Sequence, residues 1–426
     1  MATEPSSTGL GRRWSVLIPS ILVIYIIAYL DRVNIGFGMS DLQDDLGLDG
    51  AQAGFAAGVF FIGYVILQVP GGWLAQRWSA KKLIFVLLLL WGLLAAASGL
   101  AQNYLQLVFI RFLLGVVEGA VQPALMVLIS RWFPAKERGR AFSLFIMHNP
   151  IASIIAGPLS GLILMSGGWR ELFIIEGIAG LIIGLAVWGI VAADSPATAR
   201  WLPRRERDEI ERLKAADPVI PVVSDWRAAV KAPIVWRLAF ASMLIWLGFY
   251  GLQLWLPSLL KQSFSGALTI GLIAALPPIG AGIAIWLNGR GADKDGRYTL
   301  RIMVPLLIGG VVLILSTFVT KDQPWLVVLG LVVATACQLS FFGPFWSLAS
   351  QRVPIAAVGV GFGIINGIGN LGGLLGPYLG GYLKDVTGNL TISAAFFGVA
   401  VIIAGLILGT IGKHKAPATL ATGEAA

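Results

Sequence analysis

Twelve times along this chain of 426 residues, a run of about twenty mostly apolar residues recurs between short polar breaks. About 20 such residues are what an α-helix needs to cross the hydrocarbon core of a bilayer. The runs lie near 15–37, 53–75, 83–101, 104–129, 141–165 and 171–192, then near 236–260, 267–288, 300–319, 325–349, 356–382 and 391–411. Only 12% of the residues are charged, about half of the roughly 25% usual in a soluble domain. No run alternates apolar and polar residues over about ten positions, so a transmembrane β-barrel is excluded. The sequence therefore reads as an all-α membrane protein with twelve transmembrane helices. Arg12 and Arg13 lead straight into the first span without a small-residue cleavage site, and no cleavable signal peptide is expected. The single cysteine, Cys337, sits inside a span as a small apolar packing residue and precludes an internal disulfide.

The formal charge of +9 reports topology. With a cytoplasmic N-terminus and loops assigned alternately, the inside segments hold 25 of the 31 Lys and Arg. Outside loops hold Arg170, Lys261, Lys321 and Lys384, and Arg32 and Arg111 fall within spans. This is the positive-inside pattern, which places both termini in the cytoplasm. No basic groove interleaved with aromatics is present, so no nucleic-acid partner is expected.

One long polar stretch, about 194–231, divides the spans six and six. Within it WLPRRERDEIERLKAADP suits a short amphipathic helix on the cytoplasmic surface, followed by a Pro-rich tether. The chain thus divides into an N-terminal six-helix bundle at 1–193, a linker at 194–235, and a C-terminal bundle with a short tail at 236–426. The two halves resemble each other. GGWLAQRWSAKK (71–82) matches NGRGADKDGR (288–297), SRWFP (130–134) matches SQRVP (350–354), and GPLSG (157–161) matches GPYLGG (376–381). Three matches in order at nearly one offset argue for a duplicated unit. Parallel repeats related by an axis along the membrane normal are a transporter architecture, with the substrate site between them near the midplane.

These residues resemble the major facilitator superfamily. GGWLAQRWSAKK is similar to its loop between spans two and three, and the second copy, GADKDGR, matches better. RFLLG (111–115) resembles the span-four arginine motif, and IAGPLSG the Gly-Pro signature of span five. Within the superfamily, YLDRVNIGFG (29–38), RFLLGVVEGAVQPALMVLISRWFPAKERGRA (111–141), WRELFIIEG (169–177) and the linker's ARWLPRRERDEI are similar to the anion:cation symporter family. Bacterial tartrate, phthalate, hydroxyphenylacetate and sugar-acid permeases belong there. The resemblance implies two pseudo-symmetric six-helix bundles that alternate access across a bacterial inner membrane. It also implies gating loops, to which Gly72, Arg77 and Lys81 and, in the second copy, Asp293, Gly296 and Arg297 correspond. The first copy departs from the motif: Gln76 and Ser79 stand where the superfamily has an acid and a glycine. That weakens the charge interaction expected at the N-half gate.

Ionisable residues at membrane depth cost about 2.5–3.5 kcal/mol on insertion scales and by default mark function. Asp31, Arg32, Arg111 and Glu118 stand out, with Asp31 and Arg32 expected in the outer half of span one. Arg111 and Glu118 are seven apart and share one face of span four. One reading is a neutral buried network that fixes helix packing. The other is proton coupling with anion binding, because burial favours a neutral carboxyl, a nearby arginine favours the charged one, and a substrate carboxylate competing for the arginine would release the carboxyl to take a proton. A guanidinium also suits bidentate capture of a carboxylate. The resemblance implies the same division: Asp31 and Glu118 carry protons, Arg32 faces substrate, and Arg111 pairs with Glu118. Glu176 is expected near the outer interface in a structural role.

Polar and aromatic residues within spans complete the candidate binding set: Tyr29, three before Arg32 and on its face, Tyr64, His148, Asn149, Tyr250, Gln253, Trp346 and Asn366. The amides could hydrogen-bond substrate or bridge helices, and His148 fits a neutral hydrogen-bonding liner as well as a pH switch. Pro277 and Pro278 should bend span eight.

The sequence carries no clustered Cys/His set, no GxSxG and no GxxxxGK[ST], so neither an enzyme nor a cofactor is expected. The expectation is a proton-coupled symporter importing a small organic anion, working as a monomer in the bilayer, with sodium open as the coupling ion. The alternatives are a proton-driven exporter, against which two span arginines argue for cationic drugs, and a transporter-like nutrient sensor, which would be expected to carry a long cytoplasmic extension.

Overall fold

In lipid every backbone N–H and C=O must find its partner within the chain, so apolar runs of this length become helices. The computed structural model describes residues 11–215, 217, 226–319, 323–354 and 358–411, without the side chains of Asp293, Val358 and Gly359. The described residues contain helices and no strand. Eleven helices are long and apolar enough to cross a membrane. They are α1 (Arg13–Leu46), α2 (Gly50–Arg77), α3 (Ala80–Ser98), α4 (Tyr104–Trp132), α5 (Ala135–Ser166), α6 (Trp169–Val191), α9 (Pro233–Leu260), α10 (Ala267–Ala292), α11 (Tyr298–Ser316), α12 (Pro324–Arg352) and α14 (Leu390–Gly409). Between α6 and α9 lie two short helices, α7 (Arg204–Ala215) and α8 (Trp226–Lys231). The run expected at 356–382 forms α13 (Val358–Thr387), a 30-residue helix that falls outside the apolar eleven.

Local chemistry sets the helix ends. Asp49 caps α2 by accepting from Gln52 N at 2.7 Å while Gln52 Oε1 accepts from Asp49 N at 3.2 Å, a reciprocal capping box. Ser79 and Asn103 cap α3 and α4 by accepting from the backbone N–H groups of Lys82 and Gln106, without the reciprocal bond. Gly47 closes α1 at φ 63°, a left-handed conformation that glycine adopts freely. Inside the spans, α4 breaks at Ala120, α5 at Met147, α10 at Ala275 and α12 at Phe341. Each break lies three residues before a proline: Pro123, Pro150, Pro278 and Pro344. A proline ring removes a donor and clashes with the preceding turn, which accounts for the spacing. The bend expected in span eight is there.

Helices α1 to α6 pack on one another, chiefly α2 on α4 and α1 and α3 on α6. Helices α9 to α14 do the same, through α9–α13, α11–α14 and α10–α12. The two groups meet along three seams, α2–α13, α5–α10 and α1–α9. All three are tightest at the end of the molecule away from α7. A Cβ added at Gly58 would sit 2.7 Å from Leu374 O, and one at Gly36 2.7 Å from Leu254 O. Gly54 meets Pro377 O more closely still, Gly381 meets Gly50 O, and Gly157 and Gly271 face each other. Polar bonds reinforce this far end. Asp385 of α13 accepts from Gly50 N at 2.8 Å and Ala51 N at 2.7 Å, capping α2 from across the seam. Lys261 pairs with Asp41 at 3.1 Å, and Lys384 donates to Gln43 at 3.2 Å. The far end is therefore shut by backbone contact.

Gly54→Ala tests that closure. The added methyl is expected to cost the closed far end about 1–3 kcal/mol by overpacking. Pulsed electron–electron distance measurements between spin labels on the far-end loops should show a new, longer population in the variant.

At the other end α7 ties the linker down. Glu206 accepts from the backbone N–H groups of Arg12 and Arg13 at 2.8 and 3.1 Å, and Lys214 Nζ donates to Arg131 O at 2.6 Å. The expected amphipathic helix is present, with Ile210 buried. Much of the tether after it, together with Lys321 and the C-terminal tail, lies outside the described residues.

Candidate functional site

Glycines bring α2 and α4 into backbone contact. A Cβ at Gly63, Gly115 or Gly119 would collide with Phe112 O, Phe60 O or Tyr64 O on the facing helix. That approach sets the last turn of α4 before its break, and so Glu118, beside Tyr64 and the midpoint of α1. Because α1 continues to Leu46, Asp31 and Arg32 lie near its centre, not in an outer half. Asp31, Arg32, Arg111 and Glu118 are all buried.

Their pairing differs from the sequence expectation. Arg32 Nη2 donates to Glu118 Oε2 at 3.1 Å, whereas Arg111 Nη1 donates to the backbone O of Asp31, also at 3.1 Å. Arg111 makes no ion pair with Glu118. Phe60 of α2 lies against both guanidiniums, its ring centre 5.1 Å from that of Arg32 and 5.5 Å from that of Arg111. Arg32 is further enclosed by the rings of Tyr64 at 4.7 Å and Tyr29 at 5.6 Å, and Tyr250 and Glu118 act on it electrostatically.

The cluster is incompletely satisfied. Both carboxylate oxygens of Asp31, Glu118 Oε1, Arg32 Nε, and Nε and Nη2 of Arg111 are buried without a partner. Buried polar groups are normally paired, so a run of orphans of both signs marks a place where water, a proton or a ligand completes the network.

Glu176 was expected at an interface and is instead buried, two turns inside α6. It accepts from Asn34 Nδ2 at 3.0 Å and Ser160 Oγ at 3.1 Å, joining α1, α5 and α6, and its charge reaches Asp31. Glu176→Ala would strand both donors. At about 1–3 kcal/mol for each buried group left unmade, the melting temperature of the purified protein should fall by several degrees, and Glu176→Gln should recover part of the loss.

Beside this cluster, α1, α5, α9, α10 and α12 enclose a cavity. Asn149 and Gln253 line it. Tyr29 lies directly behind them, its hydroxyl near Asn149, Ser153 and Gln253. The other expected liners lie elsewhere. Tyr64 donates to Gln122 Oε1 at 2.9 Å and Tyr25 donates to it at 3.2 Å, in a network behind Arg32. Tyr250 is buried, with its ring stacked on Trp246, centres 5.5 Å apart. His148 turns inward: Nδ1 lies 2.6 Å from Phe145 O, so Nδ1 carries hydrogen and caps the break in α5. Trp346 packs against Phe345 and Phe362, and Asn366 donates across the α2–α13 seam to Gln68 at 3.2 Å. Neither reaches the cavity. A break three residues before a proline explains where His148 and Trp346 go, because each follows such a break and turns with it.

Comparison with known proteins gives the frame for this geometry. The family model for the Major Facilitator Superfamily matches residues 21–377. The chain belongs to that superfamily. It is 32% identical over 94% of its length to a quinolone resistance transporter of Acinetobacter baumannii, covering 93% of that protein. It is 31% identical over 95% of its length to a putative tartrate transporter of Agrobacterium vitis, covering 91% of it. The crystal structure of a bacterial homolog to the human lysosomal transporter Spinster, in an inward-facing and occupied conformation, has the same fold. Its TM-score is 0.76 at 17% identity, covering 94% of this chain and 97% of that one. The resemblance to acid permeases within the superfamily stands with these relatives. This member of the major facilitator superfamily is thus a multi-pass membrane transporter and not an enzyme.

The loop between α2 and α3 is tied down by Asp194 and Arg131. In the absence of an acid at Gln76, Asp194 at the end of α6 accepts from Ser79 Oγ at 2.7 Å and Lys81 N at 3.0 Å. Arg131 donates to the carbonyls of Ala75 and Gln76 at 3.2 and 2.8 Å and approaches Asp194 at 3.7 Å. Ser79, where the motif has glycine, is the N-cap of α3. Gly72 packs on Pro123, and Arg77 lies over the ring of Trp73 at 5.2 Å. In the second copy, Gly296 closes α10 with φ 63°, the backbone N of Arg297 donates to Asp295, and Arg301 grips Asp295 through Nε and Nη2 at 3.0 and 2.7 Å. The side chain of Asp293 lies outside the described residues.

Proposed function

We propose that this transporter is a proton-coupled symporter importing a small organic anion by alternating access. The observation that carries the reading is the buried Arg32–Glu118 pair at 3.1 Å, with Glu118 Oε1 and Arg32 Nε both left without partners. An anion that takes the guanidinium frees the carboxyl to accept a proton, and a proton on Glu118 frees the guanidinium for the anion. Each ligand favours the other, which is the thermodynamic content of symport. Asp31, unpartnered on the adjacent turn, is the second proton site, and Arg111 holds the α1 backbone behind it. The relative named for tartrate supports an organic-acid substrate.

In this reading α13 is the twelfth span and completes two parallel six-helix bundles, 1–193 and 236–426, joined by the linker at 194–235. The excess of Lys and Arg at the linker end puts that end and both termini in the cytoplasm. The shut far end then makes the structure inward-facing, with the glycine seams as the contacts that part when the substrate path opens outward. The protein works as a monomer, with a proton as the coupling ion.

The test is uptake in proteoliposomes under an imposed inward proton gradient, with labelled tartrate, a hexonate, phthalate and hydroxyphenylacetate. Accumulation that a protonophore collapses is the expected result. The relative named for quinolone resistance favours a second reading, proton-driven export. It takes over if no acid accumulates while a quinolone moves against the gradient.

A further inference from the structure

The substrate class can be narrowed from the walls of the cavity, granting that its ligand is an organic anion. Of the residues lining it, Asn149, Ser153, Gln253 and Thr335 are polar, and none is charged. Three of the four gather at one corner. Asn149 and Ser153 are one turn apart on α5, Gln253 faces them from α9, and the Tyr29 hydroxyl lies near all three without a hydrogen bond to any. At that corner Tyr29 OH and Gln253 Oε1 are buried with no partner in the protein. The remaining wall is hydrocarbon and ring: Trp246, Phe249, Phe342 and the Pro277–Pro278 pair. Trp246 is held as a flat surface by the stacked Tyr250 and the edge of Phe249, 5.6 Å away.

Two ligand chemistries meet this distribution differently. A polyhydroxylated acid carries a hydroxyl on nearly every carbon, and each one buried against a ring without a partner is penalised. Hydrogen-bonding sites confined to one corner cannot serve a chain of hydroxyls. A ligand with one polar end and a flat apolar body loses nothing on those walls and gains burial and ring stacking. Charge limits the polar end to one carboxylate. The cation behind the corner is Arg32, 5.6 Å from the Tyr29 ring and already sharing one N–H with Glu118. A second carboxylate would have to lie among the rings.

We propose that the ligand is a small aromatic monocarboxylate, its carboxylate at the Tyr29–Asn149–Gln253 corner toward Arg32 and its ring against Trp246 and Phe249.

Thermal shift of the purified protein in detergent reads binding independently of coupling. Benzoate and 4-hydroxyphenylacetate are expected to raise the melting temperature with dose, and tartrate and galactonate to leave it unchanged. Trp246→Ala should weaken benzoate binding about tenfold, Trp246→Phe should restore it, and Gln253→Ala, whose Oε1 holds nothing in the fold, should weaken it comparably. If tartrate or galactonate stabilises the protein and the aromatic acids do not, the aromatic assignment falls while the organic-anion reading stands. If benzoate binds Trp246→Ala and Gln253→Ala as tightly as the unmodified protein, the assigned site is wrong. If no acid binds at all, the organic-anion reading falls and takes this one with it.

Discussion

Glu118→Gln is expected to abolish proton-driven accumulation while leaving exchange of substrate across the membrane intact. Each unit of imposed pH difference can sustain about tenfold accumulation per coupled proton, and the variant should level off near an accumulation ratio of about one. The amide keeps an oxygen in reach of Arg32 Nη2, which now lies 3.1 Å from Glu118 Oε2, so the α1–α4 contact survives. It cannot gain or lose a proton, so the binding of anion and proton is uncoupled. Uptake and counterflow in proteoliposomes separate the two results. Uphill uptake retained in the variant would sink the role given to Glu118. The same measurement on Asp31→Asn reads the second site.

Arg32→Ala should have the larger effect on stability and an equal one on transport. Removing the guanidinium leaves Glu118 buried without its ion-pair partner, and breaking a buried pair by deleting one partner costs about 3–5 kcal/mol. It also removes the cation at the cavity corner, where a charge-assisted hydrogen bond contributes about 1.5–3 kcal/mol, so uptake at low substrate should fall on the order of tenfold to a hundredfold. The double variant Arg32→Ala/Glu118→Gln should recover much of the melting temperature without recovering transport. Arg32→Lys keeps the charge but loses the planar fork and should fall between. A double variant that transports normally would mean the pair is structural only. Arg111→Ala is expected to be milder for substrate affinity, because Arg111 bonds the Asp31 carbonyl and not the Glu118 carboxylate.

Much of this molecule is legible in one dimension because the bilayer permits so few structures. Apolar runs of one length become helices whatever their side chains, and so the spans, the linker and the repeat were readable directly. The repeat had a further signal, since Pro123 and Pro344 occupy matching places in α4 and α12, three residues after matching breaks. Charge at membrane depth singled out Asp31, Arg32, Arg111 and Glu118 as buried. The run at 356–382 forms α13, which packs against both α2 and α9.

What sequence spacing could not supply is which charge meets which. Arg111 and Glu118 share a helical face, and that suggested a pair, but Arg32 from a different helix reaches Glu118 while Arg111 bonds the Asp31 carbonyl. Glu176 looked close to water by its position near the start of a span; Asn34 and Ser160, from two other helices, make it a buried acceptor. Polar residues in spans are all equally visible in a sequence, yet Asn149 and Gln253 face the cavity while His148, Trp346 and Asn366 bond or pack elsewhere. The sequence by itself determined the helices and which acids and arginines lie at membrane depth, because lipid solvation acts on each segment alone. Pairing, lining and the shut far end were decided only in the tertiary structure, because they depend on glycine contacts and ring positions between helices that lie far apart in the chain.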